Sequence, residues 1–179
     1  MTLNVSMEIQ GHIVSTASIR IVDIRHMEQI GTVPPATIVV VPRERFSMAI
    51  PSLDSILRHT SREIPIVYVG CGSPRKVRRV LEQRAREREI ELVASPYYLS
   101  PNEARNLGMK RVATRHVVFV DNDCIVEAGW LDRLVGCAEK TGAAAVIPIL
   151  CWENGLVHTA GTIMRIEVEG GRRRLMYRL

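Results

Sequence analysis

The sequence predicts an α/β protein with a three-layer α/β/α arrangement and a mostly parallel central sheet. From Ala36 onward, short β-branched runs such as ATIVVV alternate with amphipathic helical patterns. This alternation is typical of a parallel sheet that helices cover on both faces. The chain has 179 residues, of which 46% are apolar, so it is long enough for one domain with a substantial core.

Five apolar runs are predicted to be strands of the central sheet. They are Ala36–Val41, Ile64–Gly70, Ile90–Ala94, His116–Val120 and Ala143–Leu150. Because open α/β sheets bind ligands beyond the carboxyl ends of their strands, functional residues are expected in the segments that follow these runs. Those segments are 42–45, 70–73, 95–102 and 121–123.

Helix-capping residues predict where the helices between these strands begin. Pro51 is expected in the first turn of the first helix, and Ser73 is expected to cap the second, with Pro74 at its first position. Ser100 and Glu103 form a capping box at the start of the third helix. From that helix and the turn after it, the residues predicted to face the core are Ala104, Leu107, Gly108 and Val112. A fourth helix is predicted over Glu127–Lys140.

Residues 1–34 are predicted to be an N-terminal extension of unknown role, and residues 35–179 the α/β domain. The segment ASIRIVDIRH, residues 17–26, has enough alternation to predict a strand. A connector, GTVPPA, follows it. No motif in the extension indicates a function.

Composition narrows the class of protein. The net charge of +5 suits a phosphate-bearing ligand, but the basic run Arg75–Arg88 is interleaved with glutamates and has no aromatic stacking platform, so nucleic acid is not the expected partner. The four cysteines form no C-x-x-C pair and are predicted to be buried, reduced thiols of a cytoplasmic protein. No apolar stretch is long enough to span a membrane.

Two carboxylates follow the fourth predicted strand directly, in the sequence HVVFVDND. In an extended chain Asp121 and Asp123 point the same way, so both are expected to project toward one spot at the mouth of the sheet. Paired carboxylates repel each other unless a cation or a proton intervenes, and Mg²⁺ or Mn²⁺ bound to a diphosphate would resolve this. The alternative is a solvated turn that caps the next helix.

The stretch SPNEARNLGMKRVATRHVVFVDND resembles the core motif of the family 2 glycosyltransferases. The matching positions are Ala104, Arg105, Asn106 and Gly108 on the helix, followed by Asp121, Asn122 and Asp123. The segments ATIVVVPRER, EAGWLDRLV and GLVHTAGT resemble other family segments in the same order, so the likeness covers roughly residues 36–165. It implies the Rossmann-like GT-A fold of nucleotide-diphospho-sugar transferases.

The resemblance also implies roles for individual residues. Asp123 would bind Mg²⁺ or Mn²⁺, and Asp121 would contact the donor sugar or help to hold the metal. Arg105 would pair with the diphosphate or with a neighbouring carboxylate. The residues expected to contact substrate are Pro42, Arg43, Arg45, Ser73, Arg105, Asp121 and Asn122.

The sequence departs from the family pattern in two places. Gly70 and Cys71 stand where the family usually has an aspartate that contacts the base, so the identity of the donor nucleotide is open. The second departure is the missing general base, for which Glu153, Glu167 and Glu169 are weak candidates, so no catalytic residue is assigned. The domain is therefore expected to be incomplete at its C-terminus. His158 is read as a structural residue or, alternatively, as a metal or sugar ligand.

The function predicted from these observations is metal-dependent transfer of a sugar, with inversion, from a nucleotide-diphosphate donor to an acceptor hydroxyl. The acceptor class, whether glycan, lipid or protein, and a homodimeric state are left open. Two alternatives remain at this point: a non-catalytic nucleotide- or sugar-binding domain, and a nucleotidyltransferase. The absence of glycine from the VPRERFS loop counts against the nucleotidyltransferase.

Overall fold

The computed structural model describes residues 2–9, 12–20, 34–43, 46–159, 163–169 and 172–178. The chain divides into two compact units, Met1–Pro34 and Pro35–Leu179, and each is described by itself. In the first unit, β1 (Thr2–Ile9) and β2 (His12–Arg20) pair as an antiparallel hairpin. The strand predicted over residues 17–26 overlaps β2 only as far as Arg20, and residues 21–33 lie outside the described residues.

The second unit is built on a four-stranded sheet in which every strand is parallel to its neighbours. Its strands are β3 (Ala36–Val41), β4 (Ile66–Cys71), β5 (Glu91–Ser95) and β6 (His116–Asp121). They lie in the order β5-β4-β3-β6. The central strand β3 is buried along its whole length, as its run of β-branched residues predicts. The predicted parallel sheet is therefore confirmed.

Four helices cover the two faces of this sheet. They are α1 (Ala49–Arg58), which a short 3₁₀ turn (Phe46–Met48) precedes, α2 (Arg75–Arg86), α3 (Pro101–Met109) and α4 (Trp130–Thr141). Alternate side chains of β3 enter different cores. Ile38 and Val40 pack with residues of α1, α2 and α4, while Val39 and Val41 pack with Ala104 of α3. The three-layer arrangement is confirmed.

Two predicted features of this unit are wrong. Ser73 does not cap α2, because the helix begins at Arg75 with Pro74 at the N-cap position and without a side-chain capping bond. The run Ala143–Leu150 is not a fifth strand of the central sheet, since residues 143–149 have no regular structure.

The remaining strands form two separate antiparallel pairs. They are β7 (Leu150–Cys151) with β8 (Val157–Thr159), and β9 (Ile163–Glu169) with β10 (Arg172–Arg178). All four cysteines are free, but only Cys71 is fully buried, and Cys137 and Cys151 are exposed, so the prediction that all are buried is wrong. Among the helices of the described ranges, none is both long enough and apolar enough to cross a membrane.

Candidate functional site

The carboxyl ends of β3 and β6 lie side by side, at the place where the strand order reverses. From β3 the chain proceeds to β4 and β5 on one side and then returns to β6 on the other. Open α/β sheets leave a ligand-binding crevice at such a point. Val41 pairs with Asp121 in the β3–β6 register, so the residues that follow β3 meet the residues that end β6.

Asp121, Arg43 and Arg105 form an ion cluster at this point, called the Asp121 cluster below. Nη2 of Arg105 donates to Oδ1 of Asp121 at 3.0 Å, and Nε of Arg43 lies 3.4 Å from Oδ2 of Asp121. The side chains are 48% exposed for Arg43, 32% for Arg105 and 28% for Asp121. Both carboxylate oxygens therefore have a guanidinium partner at a surface that solvent reaches.

The capping box at the start of α3 supports the placement of Arg105. The Ser100 hydroxyl accepts from the Glu103 backbone N–H at 3.4 Å, and the Glu103 carboxylate accepts from the Ser100 backbone N–H at 2.8 Å. Hydrogen bonds from Ser100 hold the pKa of the Glu103 carboxyl below its usual value. One turn further along, Arg105 also donates to Asn102 Oδ1 at 3.3 Å, and its guanidinium lies 6.0 Å from the centre of the Phe119 ring.

Asn122 connects the two strand ends beneath the cluster. Its backbone N–H donates to the Val41 carbonyl at 2.9 Å, and its side-chain Oδ1 accepts the Arg43 backbone N–H at 2.7 Å. Asn122 has no exposed surface. The direct substrate contact predicted for this residue therefore does not fit its position, and the structure gives it a supporting role instead.

A second buried polar group lies close to Asn122. Tyr68, in β4, is 1% exposed, and burial raises the pKa of its hydroxyl to about 12, although the Asn122 side chain acts in the opposite direction. Asn122 Nδ2 has no hydrogen-bond partner of ordinary geometry among the described residues. Sequence analysis did not single out Tyr68. A polar hydroxyl within an otherwise apolar strand is the feature of the sequence that could have indicated this residue.

Asp123 lies in a turn and not in the strand. The Cys124 backbone N–H donates to the Asp121 carbonyl at 3.1 Å, so the extended alternation used to align the two carboxylates ends at Asp121. Burial raises the pKa of the Cys124 thiol, and Asp121 and Asp123 raise it further. Asp123 is partly exposed.

The carboxylates of Asp121 and Asp123 are the residues at this turn that could hold a hard divalent cation. Within the described ranges, no group of three or more His, Cys, Asp or Glu residues is placed to hold a metal. Mg²⁺, however, is typically held by one or two carboxylates together with substrate phosphates. Asp121 and Asp123 are carboxylates of that type, although both oxygens of Asp121 are paired with guanidinium groups.

The other residues predicted to contact substrate are placed as follows. Pro42 is buried directly after β3, Ser73 is partly exposed after β4, and Arg45 lies outside the described residues. Ser73 borders an open cavity of about 530 Å³ between α2 and the ends of β4 and β5. A second cavity, of about 360 Å³, lies near the loop after α1 and the start of α4. Neither cavity is lined by a residue of the Asp121 cluster.

The segment from β7 to β9 contains the remaining candidates for a general base and for a metal or sugar ligand. His158, on β8, makes an edge-to-face contact with Trp152, with ring centres 4.3 Å apart. Glu153 is exposed in the turn between β7 and β8, and Glu167 and Glu169 lie on β9.

Comparison with solved structures identifies the fold. TarS of S. aureus, residues 1–349 in complex with UDP-GlcNAc, matches 60% of this chain with a TM-score of 0.52 and 17% identity. The mannosyltransferase PcManGT of Pyrobaculum calidifontis, in complex with GDP-Man and Mn²⁺, matches 63% with a TM-score of 0.50 and 20% identity. The α/β unit therefore has the GT-A fold of these glycosyltransferases.

Sequence comparison gives the family. The model of glycosyl transferase family 2 matches residues 37–176, and the chain belongs to this family. An uncharacterized glycosyltransferase of Bacillus subtilis (strain 168), EpsJ, is 31% identical over 88 residues, which are 49% of this chain. The matched part is 26% of EpsJ, 32% of the TarS chain and 34% of PcManGT, so the chain spans about a quarter to a third of their length.

Proposed function

We propose that this chain binds a nucleotide-diphosphate sugar at the Asp121 cluster and transfers the sugar to an acceptor hydroxyl. The observation that carries the proposal is the position of the cluster. Arg43, Arg105 and Asp121 come from three separate segments and meet at the reversal of strand order. Membership of glycosyl transferase family 2 supports sugar transfer over other reactions of nucleotide diphosphates.

Asp121 and Asp123 are the residues that would hold Mg²⁺ or Mn²⁺. The cation would neutralise the charge that develops on the diphosphate as it leaves the sugar. The guanidinium groups of Arg43 and Arg105 would bind the diphosphate oxygens, because the planar guanidinium matches phosphate geometry. Inversion by direct displacement is part of the proposal, and it requires a general base that the described residues do not identify.

A binding experiment tests the donor site. UDP and GDP, each with and without Mn²⁺, are added to the purified chain, and the unfolding temperature is measured. A ligand that binds the native state at about 100 times its Kd adds about 2.7 kcal/mol to the free energy of unfolding. For a chain of this size we therefore expect an increase of several degrees with one of the two nucleotides, and only when Mn²⁺ is present.

Two variants make the test specific. Asp123→Ala should abolish the increase, whereas Asp132→Ala, at an exposed carboxylate in the first turn of α4, should keep it. The donor-site assignment is wrong if neither nucleotide changes the unfolding temperature. Binding without transfer or hydrolysis of the corresponding sugar nucleotide would instead favour a non-catalytic binding domain.

A further inference from the structure

The two arginines of the Asp121 cluster are held unequally. Arg105 reaches Asp121 at 3.0 Å and has further contacts with Asn102 and with the Phe119 ring. Arg43 reaches the other carboxylate oxygen through Nε alone, at 3.4 Å, and its side chain is the more exposed of the two. Arg43 is therefore the partner that leaves Asp121 more readily.

The backbone at Arg43 is fixed although its side chain is not. The buried Asn122 side chain accepts the Arg43 backbone N–H at 2.7 Å. The guanidinium can consequently move away from Asp121 by rotation of its side chain, without displacement of the strand end. A long, flexible side chain on a fixed backbone position can move between two nearby anions, here the Asp121 carboxylate and a bound diphosphate.

The electrostatic balance favours such an exchange when a donor binds. Asp121 has both oxygens occupied by guanidinium groups, so a cation reaches this carboxylate only in competition with one of them. An exposed ion pair is weak and screened by solvent. A guanidinium bound to a diphosphate makes stronger, charge-assisted and frequently bidentate hydrogen bonds.

We propose that Arg43 exchanges partners: it neutralises Asp121 in the free protein and binds the diphosphate of the donor in the complex. This inference rests on the proposed function and adds the role of one residue to it. Arg43 thereby disfavours a cation at Asp121 in the absence of donor and favours the donor once the cation is present. Its removal should therefore affect the two ligands in opposite directions.

The experiment measures the two affinities separately. Mn²⁺ binding to the free protein is followed by the electron paramagnetic resonance signal of free Mn²⁺, without nucleotide. Arg43→Ala should bind Mn²⁺ about threefold more tightly than the wild type, which is the size expected from loss of a competing exposed ion pair. With saturating Mn²⁺, calorimetry should show the preferred nucleoside diphosphate binding roughly tenfold more weakly to Arg43→Ala, a change of about 1.4 kcal/mol.

Two further variants control for non-specific effects. Arg43→Lys keeps the positive charge but loses the planar fork, so both affinities should lie between those of the wild type and Arg43→Ala. Arg111→Ala removes another exposed arginine, whose Nε pairs with Glu91 at 3.2 Å, away from the Asp121 cluster, and both affinities should stay at the wild-type values. Circular dichroism checks that each variant is folded.

The outcomes separate this inference from the proposed function. If the wild type binds neither UDP nor GDP with Mn²⁺, the proposed function fails. If the wild type binds a nucleotide but Arg43→Ala leaves its affinity unchanged, only the exchange is refuted. The exchange is also refuted if Arg43→Ala and Arg43→Lys both bind Mn²⁺ no more tightly than the wild type does.

Discussion

Asn122 shows how a single buried amide organises a charged surface. It lies between two acidic residues in the sequence, yet it alone of the three has no exposed surface. Its backbone and side chain bind the last carbonyl of β3 and the N–H of Arg43. The amide therefore fixes the distance between the two strand ends, and with it the separation of Arg43 from Asp121.

Replacement of Asn122 by alanine should destabilise the α/β unit. The part-buried hydrogen bond to the Arg43 N–H would be lost, and such a bond typically contributes about 0.5–1.5 kcal/mol net. We expect a decrease of that size in the free energy of unfolding measured with urea. Asn102→Ala removes an exposed amide that bonds only to the Arg105 side chain, so its effect should stay within about 0.5 kcal/mol. Equal effects of the two substitutions would contradict the supporting role of Asn122.

At the scale of elements, the site depends on how closely α3 approaches β3. Ala104 and Gly108 are the buried residues of the helix, and Gly108 lies against Val39 and Val69. A Cβ at Gly108 would overlap the Val39 side chain. The glycine thus permits the close packing of α3, which carries Arg105 toward the end of β6.

Gly108→Ala should destabilise the protein although alanine favours helices. Alanine gains about 1 kcal/mol of helix propensity over glycine, but overpacking of a core typically costs about 1–3 kcal/mol. A net loss of up to about 2 kcal/mol is expected in urea unfolding, because β3 is central and cannot move easily. The matched control is Gly136→Ala in α4, where a Cβ meets no atom within 4 Å, and this variant should be neutral or more stable.

The elements that sequence analysis predicted correctly are those determined by local residues. The capping box at Ser100 and the β-branched run of β3 are both present as expected. The failed fifth strand shows the limit of such patterns. Ala143–Leu150 has an apolar composition suited to a strand, but Ile147 and Ile149 are 59% and 66% exposed. A strand requires a neighbouring edge with which to pair, and composition does not reveal whether that edge is available.

The site was predictable only in part, for a similar reason. The rule that ligands bind at strand ends located Arg43 and Asp121 in advance, and the family resemblance added Arg105; the structure brings these three residues together. The rule did not reveal that Asn122 is buried, or that the strand ends at Asp121 and leaves Asp123 in a turn. The position of Asn122 depends on its bonds to Val41 and Arg43, about 80 residues away in sequence.

At the scale of the whole molecule, two exposed carboxylates link the stability of the α/β unit to pH. Ser100 holds the pKa of Glu103 below its usual value through the capping box. The hydrogen bond with His116, at 2.7 Å, and then the charge of Arg115 hold the pKa of Glu139 below its usual value. Glu103 lies in the first turn of α3, and Glu139 lies near the end of α4, so the two carboxylates act on different helices of the unit.

The sign of the pH dependence follows from the direction of these shifts. The folded pKa of each carboxyl lies below 4.5, the usual value, which also applies to the unfolded chain. Each ionised carboxylate therefore contributes stability above that value, and the contribution disappears as the pH falls through the folded pKa. The Glu103→Gln/Glu139→Gln variant should be less stable than the wild type at pH 7. The difference between them should shrink as the pH is lowered to about 3.5.

Urea unfolding at several pH values measures this difference directly. Glutamine at position 103 retains a capping side chain, so the variant removes charge while it keeps the cap. Glu127→Gln is the control, because Glu127 is exposed and has no ion pair among the described side chains. That control should follow the wild-type curve at every pH. A double variant whose free energy of unfolding runs parallel to the wild type from pH 7 into acid would show that neither carboxylate is coupled to folding. The stability of α3, which carries Arg105, would then not depend on pH in this range.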